Sequence, residues 1–131
     1  MTKAQSFKPS LDHILICEDD PVQGKLLEEL LRAKGYGCVG PCMTASDAVS
    51  AARDAPVRAA LLDVALDGGS SKEAASILKE RGIPFAFITA YGPGTASTMA
   101  AYSDELIVPK PVSPDVLGDI IDTLIPAGSA E

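Results

Sequence analysis

"ILICEDDP", Ile14 to Pro21, is the stretch on which the fold turns. Ile14–Cys17 is an apolar run of strand length, apolar enough to be buried on both faces of a sheet. Three acids follow without a break, and carboxylates are rarely buried without partners. One of them has a local reason to be there. Asp20 stands at a helix N-cap position, Pro21 suits the first helical position, and Gln23 falls at capping-box spacing. Val22, Leu26, Leu27, Leu30 and Leu31 then recur at helical spacing, with Lys25, Glu28, Glu29 and Arg32 between them. Gly35 after Lys34 is the expected stop. A strand therefore feeds a helix across the acids.

The same unit recurs along the chain. Cys38–Cys42 reads as a weak strand broken by Gly40 and Pro41, and Thr44 caps a helix over Ala45–Ala55 that Pro56 ends. Ala59–Leu62 is a third strand closing on Asp63, and Ser70 with Glu73 has capping-box spacing ahead of a helix that ends near Arg81 and Gly82. Pro84–Ile88 is a fourth strand closing on Thr89. Gly92–Ser103, rich in Gly, Ser, Thr and Ala, predicts a short or mobile helix. Leu106–Val108 is a fifth strand closing on Lys110. Ser113 and Pro114 open a last helix whose buried stripe is Ile120, Ile121, Leu124 and Ile125, with Val112 and Leu117 at hydrophobic-staple positions and Pro126 at its end. Five strands alternating with helices predict an α/β doubly wound fold, a parallel sheet with helices on both faces. The boundaries expected are an N-terminal tail over 1–12, one domain over 13–126 and a C-terminal tail over 127–131.

Composition narrows the function. The chain of 131 residues fits one domain, and its net charge of −7 argues against nucleic acid as a direct partner. No apolar run is long enough to cross a bilayer, and "MTKAQSFKPS" lacks a signal-peptide core, so the expectation is a cytoplasmic protein without membrane contact. Cys17, Cys38 and Cys42 show no Cys-x-x-Cys, and His13 is the single histidine. A Cys/His zinc site is thus disfavoured and the cysteines read as buried reduced thiols.

In doubly wound sheets, ligands bind outside the carboxyl ends of the strands. Glu18, Asp19, Asp63, Thr89 and Lys110 all fall there. Carboxylates crowded together repel, by about 4 kcal/mol for two charges 4 Å apart at an effective dielectric near 20. A hard divalent cation with oxygen ligands offsets that, and Mg²⁺ leaves room for a phosphoryl group. A positioned carboxylate can attack phosphorus in line once charge on the transferring oxygens is neutralised.

"ILICEDDP", "LLDVALDGG", "FITAYG" and "VPKPV" together resemble the four signatures of a response-regulator receiver domain, in order, over about Ile14–Ile125. The resemblance implies a flavodoxin-like five-stranded sheet of order 2-1-3-4-5. It implies transfer of a phosphoryl group from a phosphohistidine of a histidine kinase or phosphotransfer protein to Asp63. It makes Asp19, Glu18, Asp63 and the backbone carbonyl of Ala65 the Mg²⁺ site, and it gives Thr89 and Lys110 to the phosphoryl oxygens. A cis Lys110–Pro111 bond is a further implication. Asp20 stays a helix cap.

The chain departs from that pattern at two places. The position three before the lysine, aromatic in many receivers, is Ile107; Tyr91, two residues after Thr89, is a candidate for the same switch. "FITAYG" is only loosely similar to the Phe-Ala-Thr-Gly-x-Tyr type of motif. Where many receivers have a proline four residues after the acceptor, this chain has Asp67, followed by Gly68 and Gly69, which predicts a more flexible loop. With "PAGSAE" alone after Ile125, output is expected through protein contact on the face of the fourth helix, fifth strand and last helix, by a monomer or weak dimer, either stand-alone or excised from a longer chain. The protein is expected to be a phosphoacceptor, not an enzyme. Two alternatives are a phosphorylation-independent interaction module and a small Mg²⁺-dependent aspartyl phosphatase. The second is disfavoured because Ala65 stands where its general acid would be.

Overall fold

The computed structural model describes residues 12–90 and 106–126. In chain order the elements are β1 (His13–Cys17), α1 (Pro21–Ala33), β2 (Gly37–Cys42), α2 (Ala45–Asp54), β3 (Ala59–Asp63), β4 (Ala65–Leu66), β5 (Gly69–Ser70), α3 (Lys72–Glu80), β6 (Phe85–Thr89), β7 (Leu106–Pro109) and α4 (Pro114–Leu124). The main sheet is parallel, in the order β2-β1-β3-β6-β7, which is the expected 2-1-3-4-5 once the small β4–β5 pair is set aside. The expected helix over 92–103, Tyr91, the C-terminal tail over 127–131 and all of the expected N-terminal tail over 1–12 except Asp12 lie outside the described residues.

Period-two alternation along the strands divides the core in two. Leu15, Cys17, Ala60, Leu62, Phe85 and Phe87 face one side, where Ala48 and Ala52 of α2 and Ala74, Ala75 and Leu78 of α3 cover them. Four of these five helix residues are alanines, and between the layers Phe85 and Phe87 meet edge-on with centroids 5.4 Å apart. Ile14, Ile16, Ala59, Leu61, Ala86 and Ile88 face the other side, under Leu27 and Leu31 of α1 and Leu117, Ile120 and Ile121 of α4. Burial of one such leucine or isoleucine is worth about 1.5–3 kcal/mol. The staple pair is in place, with Leu117 buried and Val112 packed against the same core.

Three helix expectations need correction. On α1 the buried stripe is Gly24, Leu27 and Leu31, while Val22 is 76% and Leu26 51% exposed. Gly24 belongs to the stripe because α1 lies against Pro41; a Cβ there would fall 2.8 Å from the proline ring. The capping box at Ser70 does not form. Ser70 belongs to β5, Ser71 takes the N-cap of α3 without a side-chain bond, and the Ser70 hydroxyl accepts from the Lys72 amide instead. Asp20 does cap α1, accepting from the Val22 and Gln23 amides at 2.9 and 3.3 Å. The return bond to its own N–H comes from Glu18 at 3.1 Å, where Gln23 was expected to supply it.

Two loops shape the edge that carries the acids. In β2, Gly40 has φ +100° and a Cβ there would sit 2.5 Å from the Ile16 carbonyl, so only glycine fits. Gly40–Pro41 is cis, and the register slips by one residue, from Leu15 opposite Val39 to Cys17 opposite Cys42. The loop after Asp63, expected to be flexible, is a hairpin: Asp67–Gly68 joins β4 to β5, with Gly68 at φ +81°. Its Asp67 backbone bonds Met43 and Ala45 at 3.2 and 2.9 Å, which fastens it to the start of α2.

Candidate functional site

The sheet register gathers the site. Cys17 pairs with Leu62, so Glu18 and Asp63 leave the sheet at the same level. Asp63 pairs with Ile88, one residue before Thr89, and Thr89 pairs with Pro109, one residue before Lys110. The Lys110 amide donates to the Thr89 carbonyl at 2.9 Å, and the cis Lys110–Pro111 bond turns the chain as the resemblance implied. Strand ends far apart in sequence thus deliver five side chains to one hollow edge.

Lys110 Nζ donates to Asp63 Oδ2 at 2.7 Å and lies 2.8 Å from Glu18 Oε1. All three side chains are removed from solvent, the Glu18 side chain to 1% exposure and that of Asp63 to 10%. Burial pushes the Glu18 carboxyl up and the nearby Asp63 charge adds to this, while the bonds from Lys110 and the Asp20 amide pull it down without cancelling the rise. Burial alone would lower the Lys110 ammonium. Its bonds to Asp63 and Glu18 outweigh that and leave it raised. Asp63 Oδ1 accepts from the Ala65 amide at 3.2 Å, which fixes the other side of the carboxylate.

Asp19 completes the cluster. One carboxylate oxygen from each of Glu18, Asp19 and Asp63 lies within 4.8 Å of the others. Three carboxylates stand against one ammonium, and all the donors are hard oxygens. That donor set fits a hard divalent cation such as Mg²⁺, and does not fit a soft metal. Thr89 is buried at the end of β6, its hydroxyl donating to the Ala90 carbonyl at 3.4 Å. Ile107 is half-buried and packs on the α2–α3 side of the sheet. Asp67 is exposed at the hairpin turn and takes no part in the cluster. On the α1 side the rim is apolar: Leu26, Leu27, Pro111 and Val112 border, with Glu18 and Lys110, a hollow of about 200 Å³.

Sequence reading placed Lys110 at the site but missed its bond to Glu18, because nothing in the spacing of two residues ninety-two apart predicts it. It missed the hairpin as well, although "LDGG" carries an Asp-Gly turn signal.

The family model described as the response regulator receiver domain matches residues 14–122. The chain belongs to that family. Among curated proteins, the phyllosphere-induced regulator PhyR of Methylorubrum extorquens is 32% identical over 111 residues, covering 82% of this chain and 41% of PhyR. The chain thus spans about two fifths of the length of that relative. Among solved structures, SdrG of Sphingomonas melonis Fr1 has a TM-score of 0.76 at 32% identity, over 89% of this chain and 98% of SdrG. The receiver domain of the sensor histidine kinase PA1611 of Pseudomonas aeruginosa PAO1, solved with a magnesium ion coordinated in its active-site cleft, has a TM-score of 0.76 at 22% identity, over 88% and 98% of the two chains. Receiver-domain membership carries with it a place in two-component signalling. Among the described residues, no helix is long and apolar enough to cross a membrane.

Proposed function

We propose that Asp63 accepts a phosphoryl group, in the presence of Mg²⁺, from the phosphohistidine of a partner histidine kinase or phosphotransfer protein. The observation that carries this reading is the Lys110 ammonium held at 2.7 Å from Asp63 and 2.8 Å from Glu18, with Asp19 completing a carboxylate triad. A carboxylate oxygen of Asp63 forms the new P–O bond as the P–N bond to the donor imidazole breaks, the bonding pair returning to the ring nitrogen. Glu18, Asp19, Asp63 and the Ala65 carbonyl would hold Mg²⁺, which would supply neutralisation of charge on the phosphoryl oxygens. Lys110 stays protonated and donates to one phosphoryl oxygen, and the Thr89 hydroxyl turns from the Ala90 carbonyl to donate to another. The Ala65 amide and Lys110 fix the Asp63 carboxylate from either side, so it need not reorganise to attack.

The output is a protein contact. Phosphorylation redirects Thr89, and Tyr91 or the Ile107 position relays that change to the face containing β7 and α4. The protein acts as a phosphoacceptor of the cytoplasm and not as a turnover enzyme.

Acetyl phosphate with MgCl₂ tests the reading. The expected result is a mass gain of one phosphoryl group on Asp63, abolished in Asp63→Asn and by removal of Mg²⁺. No gain in the wild type, or an undiminished gain in Asp63→Asn, overturns it.

A further inference from the structure

Cys17 closes β1 and Cys42 closes β2, and the two stand opposite each other in the sheet. An unbroken register from Leu15 and Val39 would set Cys17 against Pro41 and turn Cys42 to the α1 side. The slip at Gly40–Pro41 removes that mismatch, and both cysteines join the core beneath α2 and α3. Their side chains leave paired positions of adjacent strands towards the same side of the sheet. Neighbouring strands lie about 4.8 Å apart, inside the roughly 4.4–6.8 Å Cα separation that a disulfide spans. Cys17 is buried and Cys42 half-buried, so a small oxidant reaches Cys42 first. Cys38 packs on the opposite side of the sheet, its thiol directed at the Glu28 carbonyl at 3.8 Å, and does not compete. The pair sits at the root of the acidic cluster. Glu18 follows Cys17 directly, and its amide donates to the Cys42 carbonyl at 2.9 Å.

We propose that Cys17 and Cys42 form an oxidisable dithiol, which hydrogen peroxide closes to a disulfide that displaces the Glu18 backbone. The Cys42 sulfur attacks one peroxide oxygen and the O–O bond breaks, giving Cys42 sulfenic acid and water. The Cys17 sulfur then attacks the Cys42 sulfur, the S–O bond breaks, and the hydroxyl leaves with the Cys17 proton as a second water. Two thiols lose one electron each to the disulfide bond, and one peroxide is reduced to two waters. Closure draws the sulfurs to about 2.05 Å, pulling together the two strand ends that the Glu18 amide joins. The site is separate from the phosphoacceptor chemistry and does not depend on it.

The test uses the full chain, exposed to hydrogen peroxide, then alkylated under denaturing conditions and weighed. The expected protein has lost two hydrogens, takes up one alkyl group at Cys38 in place of three, yields a Cys17–Cys42 linked peptide and reverts with dithiothreitol. Cys38→Ser keeps the link and Cys42→Ser loses it. Amide resonances of Glu18 and Asp19 shift between the reduced and oxidised forms, in the absence of metal or phosphodonor. Three alkyl groups after peroxide, a link through Cys38, or oxygen added to Cys42 without a link overturns the dithiol. A linked protein with unmoved Glu18 and Asp19 amides overturns its connection to the cluster. Failure of Asp63 to accept phosphate touches neither result.

Discussion

Replacement of Lys110 by methionine keeps an unbranched stem of similar length and removes the one ammonium that serves two buried carboxylates. At 2.7 and 2.8 Å, each contact carries a gross attraction of about 6 kcal/mol at an effective dielectric near 20. Desolvation of the three charges offsets most of that. What remains when one partner of a buried pair is removed is a loss of about 3–5 kcal/mol, a large part of the 5–15 kcal/mol typical of a whole domain. The pH dependence gives the test its sign. The Glu18 carboxyl is already raised above its ordinary value of 4.5, so its ionised form subtracts stability above the folded value, and the penalty disappears as pH falls through that value towards 4.5. Without Lys110 a major lowering influence is gone and the folded value rises further. The deficit of Lys110→Met relative to wild type should therefore be greatest at pH 7 and close on acidification. Urea unfolding followed by far-UV circular dichroism, across pH 4.5–7 without metal, measures it. A deficit below about 1 kcal/mol at pH 7, the range of an exposed ion pair, or one constant across that pH range, refutes the electrostatic account.

Other perturbations isolate other parts of the molecule. Gly40→Ala should lose about 2 kcal/mol or more, since φ +100° and a Cβ 2.5 Å from the Ile16 carbonyl admit no side chain; an unchanged Tm contradicts the register slip in β2. Asp20→Ala should lose about 1 kcal/mol of stability with Mg²⁺ affinity unchanged, whereas Asp19→Asn should weaken Mg²⁺ binding. Isothermal titration beside thermal melts separates the cap from the ligand, and equal loss of affinity in both variants contradicts the division. In wild type the Lys110 ammonium is raised above its ordinary 10.5, so its stabilisation is complete below that pH and disappears as pH rises through the folded value. An alkaline melt series should show a loss above pH 10.5 that Lys110→Met lacks.

The sheet order and both helix layers were open to sequence reasoning because each strand is a short apolar run closed by polar residues, and Asp20, Thr44 and Ser113 mark the following helices with their own hydrogen bonds. The α1 face was misjudged for a geometrical reason. At 100° per residue, Val22, Leu26, Leu27, Leu30 and Leu31 spread over roughly 180° of the helix, wider than a core-facing stripe of about 100°. Periodicity alone cannot choose which part of that arc faces inward. Pro41 chooses it: α1 turns Gly24 towards the proline ring, where a Cβ would fall 2.8 Å away, and Leu27 and Leu31 lie on that same side of the helix.

The three acids of "EDDP" have three fates, and only two were distinguishable along the chain. Asp20 is local chemistry, a cap visible from its neighbours. Asp19 and Glu18 look alike in sequence, yet Glu18 is buried with both oxygens engaged, one with Lys110 and one with the Asp20 amide. That double engagement gives Glu18 a positioning duty that an acid in a loop would not have. An ammonium has three N–H donors. Glu18 and Asp63 take up two of those on Lys110; among the described residues no further acceptor is paired with it, and under the proposed function the third donor would serve an incoming phosphoryl oxygen. On the phosphorylation proposed for Asp63, the lysine would turn towards the new charge while Glu18 still holds it, so the contact that balances the carboxylates in this structure would also keep the cation aimed.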